Sequence, residues 1–145
     1  MITELLSPYL MVIVIAWFLA HVVKYGIAYM RGTQVDLAHQ LFISGGMPSS
    51  HAATSVALLT VIGLRDGVTS GVFGLAALFA LIVCYDAVKV RRSSGEQGEA
   101  LQQLIKATKS NIRLPRAARG HTPVEVIAGT VLGVSIGVIV FLATK

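Results

Sequence analysis

Residues 8–30 read PYLMVIVIAWFLAHVVKYGIAYM, an apolar stretch that is long enough to cross a bilayer as one helix. At ~1.5 Å per residue, a helix of this length exceeds the ~30 Å hydrocarbon core. The whole chain of 145 residues is 54% hydrophobic and 13% charged, and its mean hydropathy is +0.74. Because a soluble domain usually carries about 25% charged residues, this composition predicts an all-α integral membrane protein.

Three more apolar segments follow the first one and are separated from it by polar stretches. We predict about four transmembrane helices in a single membrane domain covering residues 1–145, at about residues 8–30, 49–65, 71–90 and 122–143. The second segment is short, and by itself it could be re-entrant.

Two further helices are expected outside these spans. The mixed stretch Leu37–Phe42 predicts a short re-entrant or interfacial helix. Within the polar loop 91–120, apolar residues recur at helical spacing at Leu101, Leu104 and Ile105. That spacing predicts an amphipathic helix at the cytoplasmic surface of the membrane.

Positive charge is concentrated in the polar loop. Seven of the twelve basic residues lie between Arg91 and Arg119, where only Glu96 and Glu99 oppose them. Basic loops between membrane spans stay in the cytoplasm and face anionic lipid. This explains the basic composition more simply than nucleic-acid binding, so we expect no nucleic-acid partner.

Alternation of the spans brings four distant segments to one side of the membrane. The shared side receives the end of the first span, the start of the second, the end of the third and the start of the fourth. Those ends carry Lys24 and Arg31; Ser49, Ser50 and His51; Asp86, Lys89, Arg91 and Arg92; and His121 and Glu125. Ionisable residues at membrane depth are costly and usually functional. We therefore predict one shared site, although Lys24 and Arg31 could also snorkel to the headgroups.

The residue types in this set suit a phosphate ester. Basic side chains neutralise nonbridging oxygens, and Ser49 and Ser50 stand where a helix begins, so that hydroxyl and backbone N–H groups can bind an anion. One histidine can attack phosphorus, and a second can protonate the leaving oxygen.

Three motifs carry a resemblance to a known superfamily. The run Gly45-Gly46-Met47-Pro48-Ser49-Ser50-His51 resembles the Pro-Ser-Gly-His signature of the type-2 phosphatidic acid phosphatases, which are related to the vanadium haloperoxidases. Lys24 followed by Arg31 is similar to the first motif, and His121 followed by Glu125 is similar to the third. Together with Tyr85-Asp86-Ala87 and Gly95-Glu96-Gln97, the pattern most resembles the divergent bacterial and plant branch.

The resemblance implies a role for each residue. His121 would be the nucleophile that forms a phosphohistidine, Glu125 would orient it, and His51 would be the general acid. Lys24, Arg31 and Ser50 would hold the phosphoryl oxygens. The resemblance implies a phosphohydrolase for membrane lipid or isoprenoid phosphates that uses no metal and no cofactor. We expect it in a bacterial inner (plasma) membrane, with the site facing the cytoplasm.

The chain also departs from the superfamily pattern. Pro115 stands where the third motif has an arginine, Gly32 replaces proline, and Ser50 replaces glycine. Arg91 and Arg92, or an arginine later in the polar loop, could supply the missing charge. Because fold kinship does not establish activity, the alternative is a non-catalytic protein that binds or translocates phospholipid headgroups.

Three local features have competing interpretations. Thr122-Pro123-Val124-Glu125 is a good capping box, a role that competes with orientation of His121 for the same carboxylate. Asp86 could pair with Lys89 or an arginine, or it could bind a divalent cation with Glu96. The face formed by Gly129, Gly133 and Gly137 suits close helix packing, against either a second copy of the chain or another helix of the same chain.

Overall fold

A computed structural model describes residues 7–32, 46–115, 117 and 120–145 of the chain. The regular secondary structure of these residues is entirely helical and forms four continuous helices: α1 (Pro8–Met30), α2 (Ser50–Arg65), α3 (Gly71–Ala107) and α4 (Pro123–Ala143). The all-α prediction is therefore confirmed. The short helix expected at Leu37–Phe42 lies outside the described residues.

Three of the helices, α1, α3 and α4, are long and apolar enough to cross a membrane. The fourth, α2, has 16 residues and is about 24 Å long, which is shorter than the ~30 Å hydrocarbon core. It lies at the centre of the bundle, where α1, α3 and α4 all pack against it. The chain is an integral membrane protein whose shortest helix is the one most enclosed by protein.

The glycine face of α4 packs against α2. A Cβ atom on Gly129 would lie 2.5 Å from the carbonyl oxygen of Ser49, and one on Gly133 would lie 2.4 Å from that of Ala53. A Cβ on Gly137 would lie 2.6 Å from the Cβ of Thr60. Only glycine allows the two backbones to come this close. The glycine face is therefore occupied within the chain, and a second copy could use it only by displacing α2.

The ends of the helices meet as the alternation of spans predicts. Away from the polar loop, the hydroxyl of Tyr9 at the start of α1 donates to Asp66 Oδ1 at the end of α2 over 2.7 Å. At the same end, the Arg65 guanidinium donates to the hydroxyl of Thr144 over 2.8 Å. The start of α2 and the start of α4 meet at the other end, where the backbone N–H of Ser49 donates to the carbonyl of Glu125 over 3.0 Å.

The helix α3 is longer than the predicted third span because it continues into the polar loop. The residues Arg91–Ala107 follow the apolar part without a break, so the amphipathic helix begins well before Leu101. This stretch contains no proline that would end the helix. The chain then returns along α3, and Gln102 Nε2 donates to the carbonyl of Pro115 over 2.7 Å.

One turn of α3 has the wider hydrogen-bond register of a π-helix, at Asp86–Val90. In this turn the backbone N–H of Arg91 donates to the carbonyl of Asp86, five residues earlier. Such single π turns are rare and occur frequently at functional sites. Here the turn lies level with the first residues of α2 and α4.

Candidate functional site

The start of α2 places Ser49 and His51. Ser49 is fully buried and is the N-cap, with its side-chain oxygen accepting from the backbone N–H of Ala52 over 3.4 Å. This cap begins the helix where the sequence predicted it. His51 lies in the first turn and is exposed on the side of α2 that faces away from α4. Ser49 therefore has a structural role, whereas His51 is available to a ligand.

His121 is held against the π turn through its backbone. Its N–H donates to the carbonyl of Ala87 over 2.9 Å, an acceptor inside the turn at Asp86–Val90. The preceding Gly120 lies so close to α3 that a Cβ atom would be 2.4 Å from the backbone nitrogen of Arg92. Because Gly120 has no side chain, the backbone at residues 120 and 121 can lie against α3. This backbone contact sets the position of His121.

The side chain of His121 is buried and paired with Glu125. Its Nδ1 atom lies 3.2 Å from Glu125 Oε2, and the histidine is only 2% exposed. With a carboxylate at Nδ1, the ring carries its proton there and leaves Nε2 as the unprotonated nitrogen. Burial lowers the pKa of His121 below its ordinary value, and the hydrogen bond to Glu125 opposes part of that shift. The geometry therefore favours a neutral imidazole at pH 7.

Glu125 also closes the capping box of α4. Its Oε2 atom accepts from the backbone N–H of Thr122 over 3.0 Å, and the Thr122 hydroxyl accepts from the N–H of Glu125 over 3.4 Å. The two interpretations of this carboxylate are therefore compatible, because one oxygen accepts from both the cap and the imidazole.

His51 and His121 line the same cavity. Its volume is about 140 Å³, and its walls also include Asp86, Ala87 and Arg91, with Ile82 and Val83 on the apolar side. This volume equals that of roughly five water molecules, which is room for one phosphate group. Two imidazoles from helix starts 70 residues apart in the sequence thus face one anion-sized space.

The two consecutive arginines of α3 have different surroundings. Arg91 lines the cavity and pairs with Asp86, with Nε 2.5 Å from Oδ2. Arg92 pairs with Glu96 over 3.1 Å and lines a separate cavity of about 360 Å³ that lies on the other side of His121. Asp86 and Glu96 are therefore each paired with a different arginine. Among the described residues, no cluster of three metal-ligating side chains is found.

The remaining predicted phosphate-binding residues lie at different depths. Lys24 is 6% exposed, packs beside Gly46, and acts electrostatically on His51 and His121. Ser50 is buried, but it lines an apolar groove next to the cavity rather than the cavity itself. Arg31 is exposed at the C-cap of α1 and is not among the residues that line the cavity.

Sequence reasoning missed Ala87 and Gly120 as residues that position the site. Neither carries a functional group, and the roles of both depend on backbone contacts between α3 and the segment before α4. Two signals were present in the sequence: Ala87 stands in the motif Tyr85-Asp86-Ala87, and a glycine directly precedes the predicted nucleophile. A glycine there indicates close backbone approach, but it does not identify the partner.

Comparisons with known proteins agree with the resemblance that the motifs carry. Residues 5–136, nearly the whole chain, match the Divergent PAP2 family. The membrane protein YuiD of Bacillus subtilis (strain 168) is 33% identical over an alignment of 130 residues, and the match covers 79% of this chain and 82% of that protein. No solved structure gives a significant match. The chain is therefore a membrane protein that belongs to the divergent PAP2 family.

Proposed function

We propose that the protein is a lipid-phosphate phosphohydrolase in which His121 is the nucleophile and His51 is the general acid. The observation that carries the proposal is that both histidines line one cavity of about 140 Å³ together with Arg91. The hydrogen bond between His121 Nδ1 and Glu125 supports it, because this bond directs the basic Nε2 atom away from the carboxylate.

The reaction has two steps with balanced proton transfers. In the first, His121 Nε2 forms a bond to phosphorus, the bond between phosphorus and the alcohol oxygen breaks, and protonated His51 gives its proton to that oxygen. In the second, water attacks phosphorus and gives a proton to His51, and the P–N bond breaks. Inorganic phosphate is released and His121 is again neutral.

Positive charge near the cavity supports binding of a phosphoryl group. Arg91 lines the cavity, and buried Lys24 acts on both imidazoles. Charged donors in a site with little water stabilise developing negative charge more strongly than they would in water. The resemblance implies Lys24, Arg31 and Ser50 as phosphoryl ligands, and Arg92 was expected to add charge. None of these four residues lines the cavity, so Arg91 is the cation that we assign to the phosphoryl group.

Phosphate release from purified protein tests the proposal. The protein in detergent is offered a panel of lipid and isoprenoid monophosphates, and free phosphate is measured. We expect His121→Ala to abolish release and His51→Ala to reduce it by about 10²–10⁴-fold. His21→Ala is the matched control, since His21 lies in α1 and bonds to the carbonyl of Trp17. Unchanged release from His121→Ala would rule out the nucleophile assignment.

A non-catalytic role in binding or translocating phospholipid headgroups is the second candidate. The pairing of Arg91 with Asp86 favours it, because this arginine is partly neutralised while Pro115 stands in place of the superfamily arginine. Saturable binding of lipid phosphates without phosphate release from any of them would select this function.

We also propose that the site faces the cytoplasm of a bacterial inner membrane. The end of the bundle that holds the cavity carries Arg91 and Arg92, and five more basic residues lie between Arg92 and His121 in the sequence. Among the described residues, the other end carries the basic residues Arg65 and Lys145, and Arg65 is next to Asp66 in the sequence. Such an imbalance of positive charge favours the cytoplasmic side for the site.

A further inference from the structure

A second, apolar cavity adjoins the phosphate-sized one. This groove has a volume of about 280 Å³ and lies on the outer face of α2, which is the side that faces away from α4. Its walls are formed by Ile13 and Trp17 of α1, by five residues of α2 between Ser50 and Leu58, and by Phe79 and Val83 of α3. His51 and Val83 line both cavities, so the groove leads directly to the imidazole assigned as the general acid.

The groove is open to the bilayer because α1 and α3 do not close over it. In the part of the chain that the structure describes, α1 packs against α2 and α4, and α3 packs against α2 and, through its π turn, against α4. The two helices therefore stand on either side of the outer face of α2. Trp17 is 46% exposed and Phe79 is 57% exposed at the edges of the groove, where they face lipid.

The dimensions of the groove fit one hydrocarbon chain. It extends along α2 from Ser50 to Leu58, a rise of eight residues or about 12 Å of helix. A volume of about 280 Å³ over this length gives a cross-section of roughly 23 Å². This is close to the cross-section of one extended chain and too small for two chains side by side.

We propose that the groove binds the single hydrocarbon tail of a lipid monophosphate whose phosphate occupies the cavity at His51 and His121. This inference rests on the proposed function and narrows its substrate class to single-chain lipid phosphates. The tail enters from the bilayer between α1 and α3 and stays in an apolar environment throughout. Only the phosphate must therefore lose its hydration shell. Two-chain phosphatidic acid leaves one chain without a place in the groove.

Photo-crosslinking tests the location of the tail without requiring turnover. The probe is a single-chain alkyl monophosphate with a diazirine in its tail, added to the purified full-length protein in detergent. We expect peptide mapping to find adducts at Ile13, Leu58 and Phe79, and an unlabelled single-chain phosphate to compete. Ile13→Trp fills the groove and should reduce the yield of crosslinked protein at least fivefold. Val14→Trp is the matched control, because Val14 is 63% exposed to lipid on another face of α1.

Phosphate release measures the chemistry separately. Release from a short, water-soluble phosphate ester reports on the two histidines alone, and its absence would count against the proposed function. For the groove, we expect the ratio of kcat/KM for the single-chain lipid phosphate over that for phosphatidic acid to be at least tenfold. Adducts spread equally over Val14 and Ile13, or an undiminished yield in Ile13→Trp, would overturn the tail assignment whether or not phosphate is released. Equal turnover of one-chain and two-chain lipids would overturn the substrate class.

If Ile13→Trp does not fold, Phe79→Ala provides a second variant. It removes a side chain at the edge of the groove and should widen it. We expect the preference for one chain over two to fall by at least threefold. Leu78→Ala is its control, since Leu78 is 56% exposed and does not line the groove. An unchanged preference in Phe79→Ala would contradict the proposal.

Discussion

The Nδ1 atom of His121 lies 3.2 Å from Oε2 of Glu125, and that same oxygen accepts the backbone N–H of Thr122 over 3.0 Å. The Glu125 carboxylate thus both caps the start of α4 and holds the imidazole of His121, which lies just before the helix. The position of the ring is fixed by the helix start, because Glu125 is the third residue of the helix. Packing of α4 against α2 is thereby linked to the geometry of the site.

The first prediction separates the two roles of this carboxylate. Glu125→Gln keeps an amide oxygen that can accept the N–H of Thr122, but it loses the negative charge beside His121. We expect phosphate release to fall by about 100-fold with little change in thermal stability. Thr122→Ala is the counterpart, since it removes the cap and leaves the carboxylate. It should cost about 1 kcal/mol of stability and leave most of the activity. Equal activity losses in the two variants would contradict the separate roles.

The second prediction concerns the pH dependence of kcat/KM. Only neutral His121 can attack phosphorus, so activity falls as pH drops through its pKa. Burial lowers the pKa of His121 and the bond to Glu125 raises it, so the acidic limb should lie below the ordinary histidine value of about 6.5. Glu125→Gln should move the limb to lower pH. Lys24→Gln should move it to higher pH, because the charge of Lys24 lowers the pKa of His121. Shifts in the same direction would refute this electrostatic account.

The third prediction tests the contact between α2 and α4. Gly133→Ala places a Cβ 2.4 Å from the carbonyl oxygen of Ala53, and the two helices must separate. Overpacking of this kind costs about 1–3 kcal/mol, so we expect the Tm in detergent to fall by roughly 3–10 °C. Gly74→Ala in α3 is the control, because no atom beyond the neighbouring backbone of its own helix lies within 4 Å of the added Cβ. A Tm for Gly133→Ala equal to that of Gly74→Ala would show that the glycine face is not packed as described.

The fourth prediction concerns topology. Cys84 is replaced by serine, and a single cysteine is introduced either at Ser110, in the polar loop, or at Thr69, in the turn at the opposite end. Both positions are exposed. In intact cells, an impermeant thiol reagent should label the cysteine at position 69 and not that at 110. The reverse pattern would place the site on the outer face.

Much of this fold could be predicted from the sequence. The bounds of α1, Pro8–Met30, match the predicted first span, and α4 begins within a residue of its predicted start. Long, mainly apolar runs with proline at the helix start determine both helices. Alternation of the spans was sufficient to predict that His51 and His121 lie at the same end of the bundle.

The details of α3 could not be predicted in the same way. Consecutive residues on a helix point about 100° apart, so whether Arg91 or Arg92 faces the cavity depends on the rotation of the helix. The π turn at Asp86–Val90 changes that rotation, and the hydrophobic pattern of the sequence does not reveal this turn. For the same reason, the backbone contact between Ala87 and His121 was not evident before the structure.

Detection of the phosphorylated enzyme tests the central claim most directly. The protein is mixed with a lipid monophosphate and quenched in alkali, where phosphohistidine survives, and its peptides are then examined by mass spectrometry. We predict one phosphoryl group on His121 that appears before free phosphate accumulates and is absent in His121→Ala. Phosphate release at full rate with no phosphoryl group on His121 would contradict the account.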